Sequence, residues 1–314
     1  MTNNKKKKSN TGRVFTTIFL VVALAVFCYS AYQLLTTVLN YHASNAEYSE
    51  LEDDFAHPIP EDQQSLRTDI PPELQGELVE EAAVPLEIDF DELEAINPDV
   101  KGWLYVEGIP SISYPILLGE DNDFYLHHTF RKEALFAGSV FMDYQNSGNF
   151  SDPTTIVYGH NMKNGSMFGM LKDMRDPEVY EANPYFWILT KDHAYRYHIY
   201  SVMSTDYMGE TYTLFSGPGP GLLQWEQKMQ SLSEVPNKVF LSENDHSVIL
   251  STCTSNSTVR LVVIGKCVSI DRPPVRPNIP YPEPKEDDDE QNQPDSEQDS
   301  VPGSGTDQGV SAYR

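Results

Sequence analysis

A mainly β fold, closed as a barrel or packed as a sandwich behind one membrane-spanning helix, is what this 314-residue sequence predicts. Two observations carry the β domain: a series of short runs rich in aromatic and β-branched residues, and the Gly, Pro, Asn and Asp residues that separate them. The third is the run Val14–Leu39, which holds no charged side chain. At ~1.5 Å per residue it can cross a ~30 Å hydrocarbon layer.

In chain order, residues 1–13 ("MTNNKKKKSNTGR") are basic and polar, and residues 14–39 follow as the anchor. A cleaved signal peptide is the competing reading. Its apolar core is usually ~7–15 residues, shorter than this run, although the small residues of "SNA" at 44–46 would suit a cleavage site. Lys5 to Lys8 and Arg13 before the run, with acid after it, place the N-terminus in the cytoplasm and the remainder outside the cell membrane. Residues 40–85 read as a solvated linker, since positions 41–85 hold twelve Asp or Glu against Arg67 alone. Residues 273–314, with ten acids against Arg276, Lys285 and Arg314, read as an acidic tail that acts as a spacer. Residues 86–272 remain as one folded block, a size that suits a single core.

The block opens with helical spacing in "DFDELEAINPDV", where Phe90, Leu93 and Ile96 recur every three residues and Pro98 ends the pattern. "GWLYVEG", "ISYPILL", "SVFMDY" and "TTIVYGHN" are the first strands. "GSMFGMLKDM" puts Met167, Met170, Leu171 and Met174 on one helical face, a core stripe. "YFWILT" and "YRYHIYSVM" form a hairpin through "KDHA", and "GLLQWEQKMQSLSE" is an amphipathic helix. The last strands are "KVFLS", "SVILSTC" and "VRLVVIGKCVSI".

Composition removes several function classes. The formal net charge is −25, and no basic patch lies beyond the anchor, so nucleic acid is not an expected partner. No CxxC or HExxH pattern occurs, and the adjacent His127 and His128 cannot both face one metal from a strand; no metal or cofactor is expected. "GPGPG" follows no strand-to-helix phosphate signature. Of three cysteines, Cys28 lies in the anchor as a small apolar residue. Cys253 and Cys267 make no disulfide framework, though one bridge between them is allowed outside the cell.

A nucleophile, a base and an oxyanion-stabilising cation remain to be tested. Cys253 sits where the apolar "SVIL" gives way to the small, polar "STCTSNST", and reads equally as nucleophile or buried thiol. Cys267 shares a strand face with Leu261 and Val263 and reads as structural. Among the histidines, His42 and His57 fall in the acidic stretch, His193 and His246 in turns, and His198 on a sheet face beside Tyr195 and Tyr197. His160 ends a strand beside Gly159, where a ring can project from a rim, and is the candidate base against the plainer reading of a packed side chain. Arg260 opens the strand after Cys253, either reaching to solvent or aimed at a developing negative oxygen.

"LSTC", the arginine that follows it, "VYGHNMKNGSMF" and the N-terminal anchor together resemble the sortases, membrane-anchored cysteine transpeptidases of Gram-positive bacteria. "FYLHHTF" and the helix "GLLQWEQKMQSLSE" are similar to class B in particular, and the likeness spans roughly residues 88–270. It implies an eight-stranded β-barrel with an N-terminal helical extension and a helix between late strands. It also implies Cys253 as nucleophile, His160 as general acid/base and Arg260 as oxyanion partner, with Ser251 and Thr252 in support. The implied substrates are secreted proteins with a C-terminal sorting motif cleaved after Thr. The implied acceptor is a peptidoglycan precursor or cross-bridge amine, or a pilin lysine. Two positions depart from the pattern: Ile249 stands where the signature has threonine, and Ser255 where class B members often carry an acid. A papain-like peptidase and a non-catalytic binding barrel are the alternatives. The first normally places its cysteine at a helix start, early in the chain.

Overall fold

The computed structural model of the chain describes residues 11–60, 82–254, 256 and 258–271. Helix α1, Thr11–Phe55, is unbroken. Its first part, from Val14, is apolar and exposed on all sides, a candidate membrane span. Its second part departs from the expected linker. Tyr41, Ser44, Tyr48, Leu51 and Phe55 recur at alternating spacings of three and four, and this face packs on the domain. Acidic residues between them made the stretch look unfolded by composition, but one apolar stripe is enough to dock a helix. Residues 61–81, the tail 273–314 and Ser255 lie outside the described residues.

Strand β1 (Ala56–Pro58) pairs antiparallel with β2 (Leu86–Ile88), which brings the end of α1 beside α2 (Phe90–Ile96). The Asp89 carboxylate caps α2 by accepting from the Glu92 N–H at 3.1 Å. Leu51 is fully buried in this docking face. Leu51→Ala should therefore cost about 2–5 kcal/mol of unfolding free energy in urea titration, while Asp53→Ala should change it by less than ~0.5 kcal/mol. Equal effects would show that α1 does not dock as described.

Eight strands then close a barrel: β3 (Val100–Val106), β4 (Ser113–Leu117), β5 (Val140–Met142), β6 (Thr154–Tyr158), β7 (Tyr185–Leu189), β8 (Ala194–Asp206), β9 (Ser247–Cys253) and β10 (Val259–Asp271). Their order around the barrel is β10-β8-β7-β3-β4-β5-β6-β9. The β4–β5 and β6–β9 pairs are parallel and the rest antiparallel. A one-turn helix α3 (Phe124–His127) precedes β5, and α4 (Pro177–Ala182) precedes β7. The amphipathic helix is α5 (Pro220–Ser231), between β8 and β9 as expected.

Helix α5 explains why β9 reads as a continuous apolar run. Val248 and Leu250 join Leu261 and Val263 in the main core, while Ile249 joins Val262 and Ile264 beneath Leu222, Trp225 and Met229 of α5. Both faces are covered, so the sequence does not alternate.

Two expected elements differ. "KVFLS" is not a strand. β9 already has β6 on one edge and β10 on the other, so a closed barrel leaves no free edge beside it. Side chains take the segment's carbonyls instead: Gln230 Nε2 donates to Val239 O and Lys266 Nζ to Phe240 O. The methionine stripe is not one helix either. Asn161 bridges to Met167, which has φ of +53°, and a short 3₁₀ turn covers Leu171–Arg175. At Gly169 an added Cβ would lie 2.3 Å from Met162 O, so the chain folds back on itself there instead of winding on. The side chains still fill the core: Met167, Leu171 and Met174 are fully buried.

Candidate active site

Strand register brings together residues that are far apart in sequence. In β6 and β9, which run parallel, Tyr158 is the partner of Ser251. In β9 and β10, which run antiparallel, Cys253 lies directly opposite Arg260. Side chains two apart share a face, so His160, two beyond Tyr158, continues into the place beside Cys253, two beyond Ser251. Cys253 and Arg260 are thus cross-strand neighbours, and His160 follows just beyond the end of β6, the strand on the other edge of β9. All three line a cavity of about 250 Å³ that opens at this end of the barrel.

Backbone contacts hold the chain beyond the end of β6. Gly159 N–H donates to Ser251 O at 3.1 Å, and Asn161 Nδ2 donates to Cys253 O at 2.8 Å. Gly159 is needed here, because a Cβ would come within 2.8 Å of the Phe168 ring packed beneath it. Phe168 N–H in turn donates to His160 O at 2.9 Å, closing the loop that His160 opens.

The His160 ring is held by groups the sequence did not nominate. Its Nε2 is 2.8 Å from Leu126 O. A carbonyl only accepts, so Nε2 carries its hydrogen in either charge state, and Nδ1 is the nitrogen that gains or loses a proton. Phe136 stacks on the ring with centroids 5.7 Å apart, and is itself 64% exposed, so it lies between the imidazole and solvent. Burial is the main cause that lowers the His160 pKa below its usual value; the Leu126 carbonyl opposes that shift and nearby His127 adds to it. The neutral imidazole therefore dominates at neutral pH.

Arg260 Nη1 donates to Val259 O at 3.2 Å, and its guanidinium stands 5.7 Å from the centre of the Tyr207 ring. Its charge reaches the cavity, where it partly offsets the burial that raises the Tyr158 and Tyr212 pKa values. Tyr158 donates to Asp143 Oδ2 at 2.9 Å, and Asn122 donates to the same oxygen at 2.8 Å. Ser251 Oγ is 2.8 Å from Tyr212 Oη, which places it in the cavity wall. Thr252 is buried, with no hydrogen-bond partner for its hydroxyl among the described residues.

The other candidates fall elsewhere. Cys267 is buried, and burial pushes its thiol up to about 12, so it stays protonated. The bridge that the sequence allowed is not formed, and all three cysteines are free. Cys267 lies seven positions beyond Arg260 on one strand, about 23 Å away at ~3.3 Å per residue, too far for a disulfide. His128 stacks on Phe124, His198 packs at a tilt against Tyr185, and His246 Nδ1 meets Asp152 O at 3.2 Å. Among the described residues no group of three His, Cys, Asp or Glu is placed to hold a metal.

Sequence reading missed Asn161, Leu126 and Phe136. Asn161 could have been suspected from its place beside His160, whereas Leu126 acts through its backbone and Phe136 through a loop, so neither leaves a mark in residue type. A half-buried thiol, a neutral imidazole and a guanidinium line one cavity, and groups of these types are chemically able to carry acyl transfer.

Comparison with known proteins bears on the family of the chain. A sortase domain is matched over residues 104–268. Sortase B of Listeria monocytogenes is 35% identical over 187 residues, covering 58% of this chain and 74% of that protein. Sortase B of Staphylococcus aureus is 25% identical over 259 residues, covering 82% of this chain and 98% of that one. Among solved structures, Bacillus anthracis sortase B in complex with AAEK1 superposes with a TM-score of 0.59 at 29% identity, covering 74% of this chain and 99% of that one. Clostridium perfringens sortase B gives 0.54 at 32% identity, covering 58% and 100%. With the barrel, the helix before β9 and the matched domain all in agreement, the chain belongs to the sortase family of surface-protein-anchoring transpeptidases, and its relatives are of class B.

Proposed function

We infer that the chain is a cysteine transpeptidase in which Cys253 is the nucleophile, His160 the proton carrier and Arg260 the oxyanion partner. The observation that carries this reading is the cavity that His160, Cys253 and Arg260 line together, with Arg260 directly opposite Cys253 in the strand register. The substrate is a secreted protein with a C-terminal sorting motif, cut after a threonine. Neutral His160 takes the Cys253 proton at Nδ1 as sulfur bonds to the threonine carbonyl carbon. The carbonyl oxygen becomes negative, and the planar fork of Arg260 together with backbone N–H groups stabilises it. The C–N bond then breaks, the imidazolium gives its proton to the leaving amine, and a thioacyl enzyme remains. An amine from peptidoglycan or a pilin lysine attacks that thioester, loses a proton to His160, and expels the Cys253 sulfur, which takes that proton from the imidazolium and restores the starting thiol.

The same reading makes residues 1–13 cytoplasmic, 14–39 the anchor and the folded block the external catalytic domain. Ser251 and Thr252 act by shaping the wall around the thiol. Arg260→Lys keeps the charge and loses the fork, so kcat/KM should fall by about 10–100-fold. A lysine variant at wild-type rate would reduce Arg260 to a surface residue.

The test of the whole reading is mass spectrometry of the full chain with a set of sorting-motif peptides and an added amine. An acyl adduct on Cys253 and an amine-linked product are expected. Hydrolysis alone, with amine in excess, would point to a peptidase; an unreactive Cys253 would point to a binding barrel.

A further inference from the structure

A second cavity, of about 430 Å³, lies at the tip of the loop that His160 opens. Its size falls within the ~300–1,000 Å³ of small-molecule sites. Asn45, Ser49 and Glu52 of α1 line it on one side, and Ser111, Asn164 and Ser166 on the other. Tyr48 and Tyr114 also line it, meeting edge to face with centroids 5.5 Å apart. Their hydroxyls are committed elsewhere: Tyr48 donates to Gly138 O and Tyr114 accepts from Met167 N–H. These two rings are therefore fixed in place, while around them stand amides and hydroxyls that can both donate and accept.

Three features narrow the occupant. Among the described residues no Lys, Arg or His lines the cavity and the one charged group there is the Glu52 carboxylate, so phosphate and carboxylate ligands are disfavoured. Amides, hydroxyls, one carboxylate and aromatic edges suit a neutral, hydroxyl-rich molecule, namely a carbohydrate. Asn45 to Glu52 also lie ~9 to ~20 Å beyond Leu39 along the continuous helix α1, at ~1.5 Å per residue. A ligand held there sits at a set height above the bilayer.

The loop joins this cavity to the first. At its base Asn161 holds Cys253 O, and at its tip Asn164 Nδ2 donates to Asn45 Oδ1 at 3.2 Å. We propose that the cavity between α1 and the tip of this loop binds the carbohydrate part of a membrane-tethered acceptor, whose amine then reaches the acyl group on Cys253. This rests on the transpeptidase reading above, and assigns one of its two substrates a place.

The test uses the full-length chain in detergent micelles and two acceptors with the same amine-bearing peptide, one of which carries an N-acetylated disaccharide. For the wild type, the sugar should lower the acceptor KM by about 10-fold, the worth of two or three net hydrogen bonds. Ser111→Phe, which fills the cavity from an exposed turn, and Asn45→Ala should each lose most of that advantage. Their rate of Cys253 acylation by a sorting peptide should stay within ~2-fold of wild type, which also reports that they are folded. Acylation with no benefit from the sugar in the wild type, or a benefit that both variants keep, would overturn the proposal and leave the transpeptidase reading standing. Absence of any Cys253 adduct in the wild type would overturn both.

Discussion

Cys253→Ala should abolish acyl transfer, with kcat/KM falling by at least ~10⁴-fold, while Cys267→Ser should keep most of the activity. The contrast follows from place. Cys253 ends β9 at a cavity beside His160 and Arg260, whereas Cys267 lies inside the barrel, its thiol kept protonated by burial. A site built around one nucleophile loses nearly everything with it, because no second group can form the covalent intermediate. The measurement is amine-dependent product formation from a sorting peptide, paired with alkylation of the native chain followed by peptide mapping. Label should appear on Cys253, and on Cys267 only after denaturation. Activity that survives Cys253→Ala and disappears in Cys267→Ser would reverse the assignment.

His160→Ala should lose about 10²–10⁴-fold in kcat/KM, the usual worth of a positioned acid–base group. His198→Ala should act mainly on stability, because His198 packs on Tyr185 away from the cavity. A pH profile separates a proton carrier from a structural ring. Burial lowers the folded pKa of His160 below 6.5, and the first step needs the neutral imidazole. Activity should therefore be full near neutral pH and fall as pH drops through that lowered value. Phe136→Ala uncovers the ring, returns water to it and lets the pKa rise toward 6.5, so the acid limb should move to higher pH. Phe136→Tyr keeps the stack and should restore the wild-type limb. An acid limb that ignores Phe136→Ala would show that another group sets it.

Much of the site was already visible in the string of residues. "LSTC" and the arginine after it stand on two consecutive strands, so an antiparallel hairpin had to bring Cys253 and Arg260 close. His160 was a weaker inference from residue type. A histidine after a glycine at a strand end is commonplace, and only the parallel pairing of β6 with β9, strands separated by β7, β8 and α5, puts it beside the thiol. The docking of residues 40–60 was hidden for a different reason. Composition averages over a window, and the acids between Tyr41 and Phe55 outweighed the five residues that make contact.

Residue type and local pattern were enough for the apolar run of the candidate membrane span, the β character of the domain and the residue types able to carry acyl transfer. These depend on local chemistry: apolar run length, alternation, turn residues and the reactivity of a thiol. The tertiary structure alone decided which histidine meets the cysteine, which ring covers that histidine, why Lys238–Ser242 forms no strand and where α1 rests. Each of these is a contact between residues far apart in sequence, set by the register and closure of the barrel. A shift of one residue in the pairing of β6 with β9 would turn His160 to the opposite face and dismantle the site.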